Sequence, residues 1–453
     1  MPLGGGLLQL VAVGKQDVYL TGNPQITWFK MIYRRYTNFA VESQAIYFDG
    51  DPDFGKRLTC TIPRKGDLLG ALILEVTLPE LRLADGDPTD PNSGTLAAYV
   101  SSLGHALIEE ISIEIGEQEI DKQTGEWMEI WSELTIPAGQ RNGFNAMINR
   151  FDGTLPPQTT YPPDTNSVSI NGSYQYGAVK LYIPLTFWFN KNPGLYLPLL
   201  AMQYHPVRIN LKLRSLEQLV YLSGNPYIQA DCAAPKVKKN KIIDLRLYGD
   251  YYHLDVEERR RFVANNHEYL IEQLQYTSKI SIPAATSTAI VPLEFNHPLR
   301  EVVWVVQRDI METTNEWFNY SSSSINESGA RRDMLQQAVL QLDGYDRFEI
   351  RDAGYFRLVQ PFQYHTNVPL NQFIYTYSFA LKPEDLQPSG SLNASRIDSI
   401  KLQIALRPDP ATTIPVGNPN YVHARGNSHI RVYATNHNIL RVVNGFAGLV
   451  FKI

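Results

Sequence analysis

Apolar residues in this chain come in short runs broken by Gly, Pro, Asp and Asn, and many of the runs alternate apolar with polar positions. That pattern predicts strands at 46–48, 57–62, 68–78, 107–115, 178–183, 185–189, 195–200 and 207–213. Helical spacing is rare. Trp127, Ile130, Trp131 and Leu134 recur at helical intervals within 125–134, with Glu126, Glu129 and Glu133 expected on the wet side. A second, short helix is expected at 255–262, where Asp255 can cap the first turn, Glu258 can answer it, and Glu257 can pair with Arg261 one turn on. The segments 140–175 and 223–240 are rich in loop-forming residues and predict long loops.

The order of strands repeats. Asp67-Leu-Leu-Gly-Ala-Leu-Ile-Leu-Glu-Val76 is answered 230 positions on by His297-Pro-Leu-Arg-Glu-Val-Val-Trp-Val-Val306. Phe187 is answered 192 positions on by Phe379, and the strand at 209–213 by the one at 400–404. Leu245-Arg-Leu-Tyr248 has its echo in Ile430-Arg-Val-Tyr433, where the two tyrosines are 185 positions apart. Offsets that shrink in order mean longer loops in the first copy and point to duplication of one β domain. The expected organisation is an arm at 1–26, a first domain at 27–254, a connecting helix at 255–267 and a second domain at 268–453.

Length and composition agree with two all-β domains. The chain has 453 residues, 43% hydrophobic and 11% aromatic, with 30 Gly and 29 Pro to punctuate short elements. A net charge of −5 argues against direct binding of nucleic acid through phosphate neutralisation. Cys60 and Cys232 give no disulfide framework and fit a reducing compartment. The first 20 residues lack a basic leader, a long apolar span and the Met-Gly start of a myristoylated chain, so neither secretion nor a membrane anchor is expected.

Candidate chemistry is thin. The loop 84–90 gathers three carboxylates but lacks the later Glu of a calcium-binding loop. Tryptophans beside Glu126, Glu129 and Glu133 invite a glycosidase reading, yet nothing converges two carboxyls on a bond. Nine histidines show no His-x-His pair, which leaves a metal-dependent cupin unsupported; each reads as a satisfied turn or strand residue. There is no Gly-x-Ser-x-Gly elbow. Arg259, Arg260 and Arg261 read as a solvated helix face, and the basic cluster at 236–241 as a solvated loop. No catalytic residue, cofactor or metal is expected. Candidate N-glycosylation sequons stand at Asn171, Asn319, Asn326 and Asn393.

Several longer blocks carry a family resemblance. They are Asp17-Val-Tyr-Leu-Thr-Gly-Asn23-Pro24-Gln25, Tyr33-Arg34-Arg35-Tyr-Thr-Asn38-Phe39, Glu258-Arg259-Arg260-Arg261-Phe262 with His267-Glu-Tyr-Leu270, Tyr377-Ser-Phe-Ala-Leu-Lys-Pro383, Gln387-Pro388-Ser389-Gly390, Ser395-Arg396-Ile397 and Asn438-Ile-Leu-Arg441. End to end, the chain resembles the major capsid proteins of nucleocytoplasmic large DNA viruses, the chlorovirus and iridovirus type. The resemblance implies two consecutive eight-stranded antiparallel jelly rolls. It further implies a homotrimeric capsomer of pseudo-hexagonal outline that tiles the facets of an icosahedral shell, with no enzymatic activity. Neighbouring capsomers, minor capsid proteins and penton proteins are the implied partners, together with inner-membrane-associated proteins through the arm. The implied location is the outer shell of the virion, assembled in the host cytoplasm. The blocks at Tyr33–Phe39 and Arg259–Phe262 are expected to hold the barrels and the arm in fixed relation, their arginines capping carbonyls at loop ends.

Overall fold

Runs with β-branched and aromatic residues at alternate positions pair into two sets of eight strands. The first set is β1 (Phe39–Ile46), β2 (Arg57–Thr61), β3 (Leu68–Leu78), β4 (Ile108–Ile115), β5 (Gln118–Thr124), β6 (Val179–Pro184), β7 (Val207–Leu213) and β8 (Asp244–Leu254). The second is β9 (His267–Tyr276), β10 (Thr288–Pro292), β11 (Pro298–Arg308), β12 (Leu335–Leu342), β13 (Tyr345–Asp346), β14 (Tyr375–Ser378), β15 (Ile400–Leu406) and β16 (Ser428–Val443). The computed structural model describes residues 4–25, 31, 33–81, 96–151, 169–170, 173–174, 178–223, 240–284, 286–324, 331–407 and 426–451.

The first set forms antiparallel sheets ordered β1-β8-β3-β6 and β2-β7-β4-β5. The second forms β9-β16-β11-β14 and β10-β15-β12-β13, with short extra strands at the margins. Counted from its own first strand, each set reads 1-8-3-6 and 2-7-4-5, the jelly-roll arrangement of two facing sheets. The match extends to single residues. Tyr248 lies opposite Ile73, which lies opposite Pro184. Offsets of 185, 230 and 192 positions carry these onto Tyr433, Val303 and Thr376, which are paired in the same way. Duplication is therefore preserved at the level of register, which a buried face holds strictly because a one-residue slip inverts every side chain.

Each barrel has its own core. Leu72, Leu74, Val76, Ile111, Ile113, Ile209 and Leu211 fill the first. Val302, Trp304, Val306, Leu402, Ile404 and Val432 fill the second. Three expectations need correction. Residues 185–189 are not a strand: Phe187, Trp188 and Phe189 are all buried, and the chain turns through a helical turn at Trp188–Lys191. An alternating strand would have exposed one of the three. Residues 195–200 are likewise turns, with only the bridge Leu69–Leu197. The expected long loop begins later than 140, because Ala138–Met147 is helical.

The chain divides into two compact units, Met1–Phe39 and Ala40–Ile453. Within the first, a helix at Gly5–Val11 buries none of its residues. Asp17 Oδ2 accepts from the Gly14 amide (2.7 Å). Asn23, with φ at +53°, makes the turn before Pro24.

Candidate functional site

Helix α1 (Gly125–Thr135) follows β5 and lies between the two barrels. Thr124 caps it by accepting from the Trp127 amide (3.2 Å). Met128 points into the first core, whereas Trp127, Ile130, Trp131 and Leu134 pack on Leu274, Val303, Val305, Ile374 and Tyr433 of the second barrel. Trp127 lies 5.5 Å from Trp131 and 5.4 Å from Tyr433, ring centre to centre. The last carbonyls of α1 are capped from the second barrel as well. The Asn367 amide donates to Leu134 O (2.9 Å) and its side chain to Glu133 O (2.7 Å).

The acids of α1 are not on a wet side, contrary to the sequence pattern: Glu126, Glu129 and Glu133 are all buried. Enclosed by the second barrel on one flank and by residues 102–105 and 141–150 on the other, the helix has no face left for water. Glu126 forms an ion pair with Arg431 Nε (2.7 Å) and accepts from the Tyr320 hydroxyl (3.0 Å) and from the Tyr433 hydroxyl. Glu129 accepts from Ser102 Oγ (2.8 Å) and lies 2.5 Å from His105 Nδ1, with Arg150 at 3.5 Å. Burial alone would raise the Glu129 carboxyl, but Arg150, His105 and Ser102 hold it at about 2. Glu133 is paired with Arg141 (2.7 Å) and Arg150. Carboxylates neutralised in this way are structural.

Further contacts flank α1. Lys191 stands 4.4 Å above the Trp131 ring and 2.6 Å from Glu272, which also pairs with the buried Arg300. Burial pushes the Glu272 carboxyl up, yet Lys191 and Arg300 hold it at about 2. Asp121 on β5 accepts the Leu274 amide of edge strand β9 (3.0 Å), and burial raises its carboxyl to about 6 despite that bond. Trp317 Nε1 donates to Gln218 O (2.7 Å) beneath the Arg214 guanidinium, 4.2 Å from its ring. Apolar, ionic and main-chain contacts thus lock both barrels into one body.

Few of the residues expected from sequence lie in this seam. Helix α2 (Val256–Ala264) links the barrels and is capped by Asp255. Its arginines do not cap carbonyls: Arg259 reaches the buried Asp67 (3.1 Å), Arg260 pairs with Glu257 (3.3 Å) and Arg261 with Glu258 (3.5 Å). The expected Glu257–Arg261 pair is replaced because both acids take the arginine three positions on. The Phe262 ring stacks on His267 at 5.1 Å. Ser389 closes the loop after β14 by accepting the Lys382 amide (2.9 Å), and Gly390 follows with φ at +133°, where a Cβ would meet Phe379 O at 3.0 Å. Pro388 and Arg396 are exposed, as are Pro24, Arg34, Arg35 and Asn38.

Asn319 directs its amide nitrogen at Glu316 (2.5 Å) and Ser323 O (3.0 Å), whereas Asn393 is exposed. Asn171, Asn326, Cys232, the acidic loop 84–90 and the basic residues 236–239 lie outside the described residues. Burial pushes the Cys60 thiol up to about 12. Among the described residues no three His, Cys, Asp or Glu side chains gather as metal ligands, and no helix is long and apolar enough to cross a membrane. Some histidines are more than satisfied turn residues. His365 sits between Glu301 (3.2 Å) and Glu384 (3.0 Å); burial would lower its pKa, but the two acids raise it to about 9.

The sequence matches two family models, "Major capsid protein N-terminus" over residues 27–255 and "Large eukaryotic DNA virus major capsid protein" over 258–448. It is 38% identical to the major capsid protein of Pyramimonas orientalis virus, covering 99% of this chain and 100% of the relative. Against that of Phaeocystis pouchetii virus it is 36% identical, with the same coverage, 99% and 100%. Among solved structures it is similar to a chain of the PBCV-1 virus capsid, at 31% identity and TM-score 0.73, covering 94% of this chain and 100% of that one. The Faustovirus major capsid protein, 12% identical, shares the fold at TM-score 0.73 over 95% of this chain and 94% of its own.

Proposed function

The chain belongs to the major capsid proteins of large eukaryotic DNA viruses, and on that premise we propose that three copies form a capsomer of pseudo-hexagonal outline that tiles the facets of an icosahedral shell. Its role is that of a structural subunit of a viral capsid. The single observation that carries the trimer is the register-level identity of two barrels locked in one body. A rigid pair of like barrels, repeated three times around an axis, gives six similar edges from one chain, and six-edged units fill a plane.

On this reading the chain divides into an arm at 1–26, barrels at 27–254 and 268–453, and a connection at 255–267, whereas the compact units meet at Phe39 and β9 already begins at His267. Arg259 belongs to that connection as an anchor on Asp67, just before β3. The subunit works without catalysis, and the buried acids of α1 are committed to arginines and histidine. Its partners are further capsomers, minor capsid proteins and penton proteins at the fivefold vertices. The arm, with Leu7, Leu8, Leu10 and Val11 exposed on its helix, meets inner-shell or membrane-associated proteins. Assembly takes place in the host cytoplasm, where a chain with two separate cysteines and one inert thiol needs no disulfide.

Light scattering on the purified chain, with images of the same peak, tests this. A particle of three 51.3 kDa chains, about 154 kDa, with a six-cornered outline is expected. A stable monomer that does not associate at high concentration would overturn it.

A further inference from the structure

Two faces of this chain are left over by its own symmetry. The seam covers the sheet β9-β16-β11-β14 with α1, burying Val303, Ile374 and Tyr433. The same offsets that superpose the strand registers carry these residues onto Ile73, Tyr182 and Tyr248 of the first barrel. There, among the described residues, the equivalent sheet β1-β8-β3-β6 has no helix over it. Ile73 and Tyr248 are half-exposed and Tyr182 is 39% exposed. The other leftover is the helical segment that follows the fifth strand of the second barrel, as α1 follows the fifth strand of the first. In this segment, Tyr355–Val359 with Gln360–Tyr364, Phe356 enters the barrel core just as Met128 does. Its outer residues Val359 and Phe362 are 41% and 79% exposed and have no second sheet to cover.

We infer that the helical segment 355–364 of one copy seats on the open face of sheet β1-β8-β3-β6 of the next copy, with Phe362 and Val359 against Ile73, Tyr182 and Tyr248. This rests on the self-association proposed above and goes beyond it by assigning the two surfaces and the sense of the contact. The occupant is a second copy because the face being filled is the duplicate of one that a helix of the partner barrel already fills within the chain. Such a contact is head-to-tail, with different patches on the two partners, so it generates a ring. Alternating with the seam inside each chain, it closes when three chains bring six barrels around the axis. The two contacts differ in chemistry. The internal one combines the aromatic residues with the buried Glu126, the half-buried Arg431 and the partly exposed Lys191, whereas the external one offers tyrosines and an exposed Phe. That suits surfaces which must stay soluble until they meet.

The test uses two variants of the full chain, Phe362→Glu on the helical side and Tyr248→Glu on the sheet side, with Tyr182→Glu as a second sheet-side variant. Each position faces outward, so circular dichroism and melting of each variant should match a folded subunit. Alone, each variant should run as a monomer by light scattering, while the unaltered chain forms trimers. Mixed in equal amounts, Phe362→Glu and Tyr248→Glu chains retain one good face each and should form a dimer of roughly 103 kDa, twice the 51.3 kDa chain, and nothing larger. Trimers of the single variants, or folded variants that stay monomeric on mixing, would overturn these surfaces and leave the capsomer reading standing. An unaltered chain that never associates would instead sink the reading on which they rest.

Discussion

Strands β3 and β11 occupy the same place in their barrels and have eleven residues each, yet they are buried differently. Leu68–Leu78 alternates along its second half, with Ile73 and Glu75 half-exposed between the buried Leu72, Leu74 and Val76. In Pro298–Arg308 every residue after the first is buried. The contrast extends to β8, which alternates, and β16, which is buried along most of its length. Topology and register are shared, so the difference comes from what lies outside the sheet. One face of β11 meets its own core and the other meets α1 of the first barrel, whereas among the described residues no helix covers the outer face of β3 along its second half. A strand covered on both sides loses its alternation. Glu75 stands where the second barrel has Val305, which is the change expected where helix cover gives way to solvent.

Breaking the seam should have the largest effect. Trp127→Ala empties a site that joins both barrels and should destabilise the chain by about 3–5 kcal/mol in urea unfolding. It should also split one transition into two as the barrels uncouple. Acid should act on the same seam. The Glu129 and Glu272 carboxyls, at about 2 in the folded chain against an ordinary 4.5, contribute stability that is complete above pH 4.5 and lost as pH falls toward 2. That separation corresponds to roughly 3 kcal/mol for each group. Asp121 works in the opposite sense. Raised to about 6 from 3.8, its buried charge costs stability at neutral pH, and the cost is relieved as pH falls through 6. The urea midpoint should therefore fall steeply by pH 3, and the unaltered chain should gain stability relative to Asp121→Asn as pH falls from 7 to 5.

The comparison of strands is sharpened by matched truncations. Val303→Ala should cost about 2 kcal/mol, while Ile73→Ala in a monomeric Phe362→Glu background should cost under about 1 kcal/mol. Equal losses would mean that the two faces do not differ in the way their burial indicates. The smallest effect is expected in α2. Arg259→Ala removes a half-exposed partner of Asp67, which keeps its bond from the Leu254 amide (2.8 Å), and should cost no more than about 1 kcal/mol in thermal melting. Arg260→Ala and Arg261→Ala should leave melting unchanged, because both side chains are solvated.

The fold was legible because strands that bury one face write their period into the chain, and because duplication repeated Asp67–Val76 and Leu245–Tyr248 at ordered offsets. The continuous run of β11 was legible as a strand through its likeness to β3. The seam was not. Glu126, Glu129 and Glu133 share one side of α1, which by local pattern means water. Their partners Arg431, His105 and Arg150 are brought in by tertiary structure from distant positions. Segment 185–189 misled for the opposite reason, since Phe, Trp and Phe favour strands but here plug a turn. The blocks carrying the family resemblance lie mostly outside the seam, because loop closure and connection need particular residues such as Gly390, whereas an apolar interface accepts many.

Hydroxyl-radical footprinting of the assembled particle against the Phe362→Glu monomer reads the two faces directly. Tyr182 and Tyr248 should lose reactivity on assembly while Trp127 stays protected in both states. If the two tyrosines label equally in particle and monomer, the open face of the first barrel is not the place where copies meet.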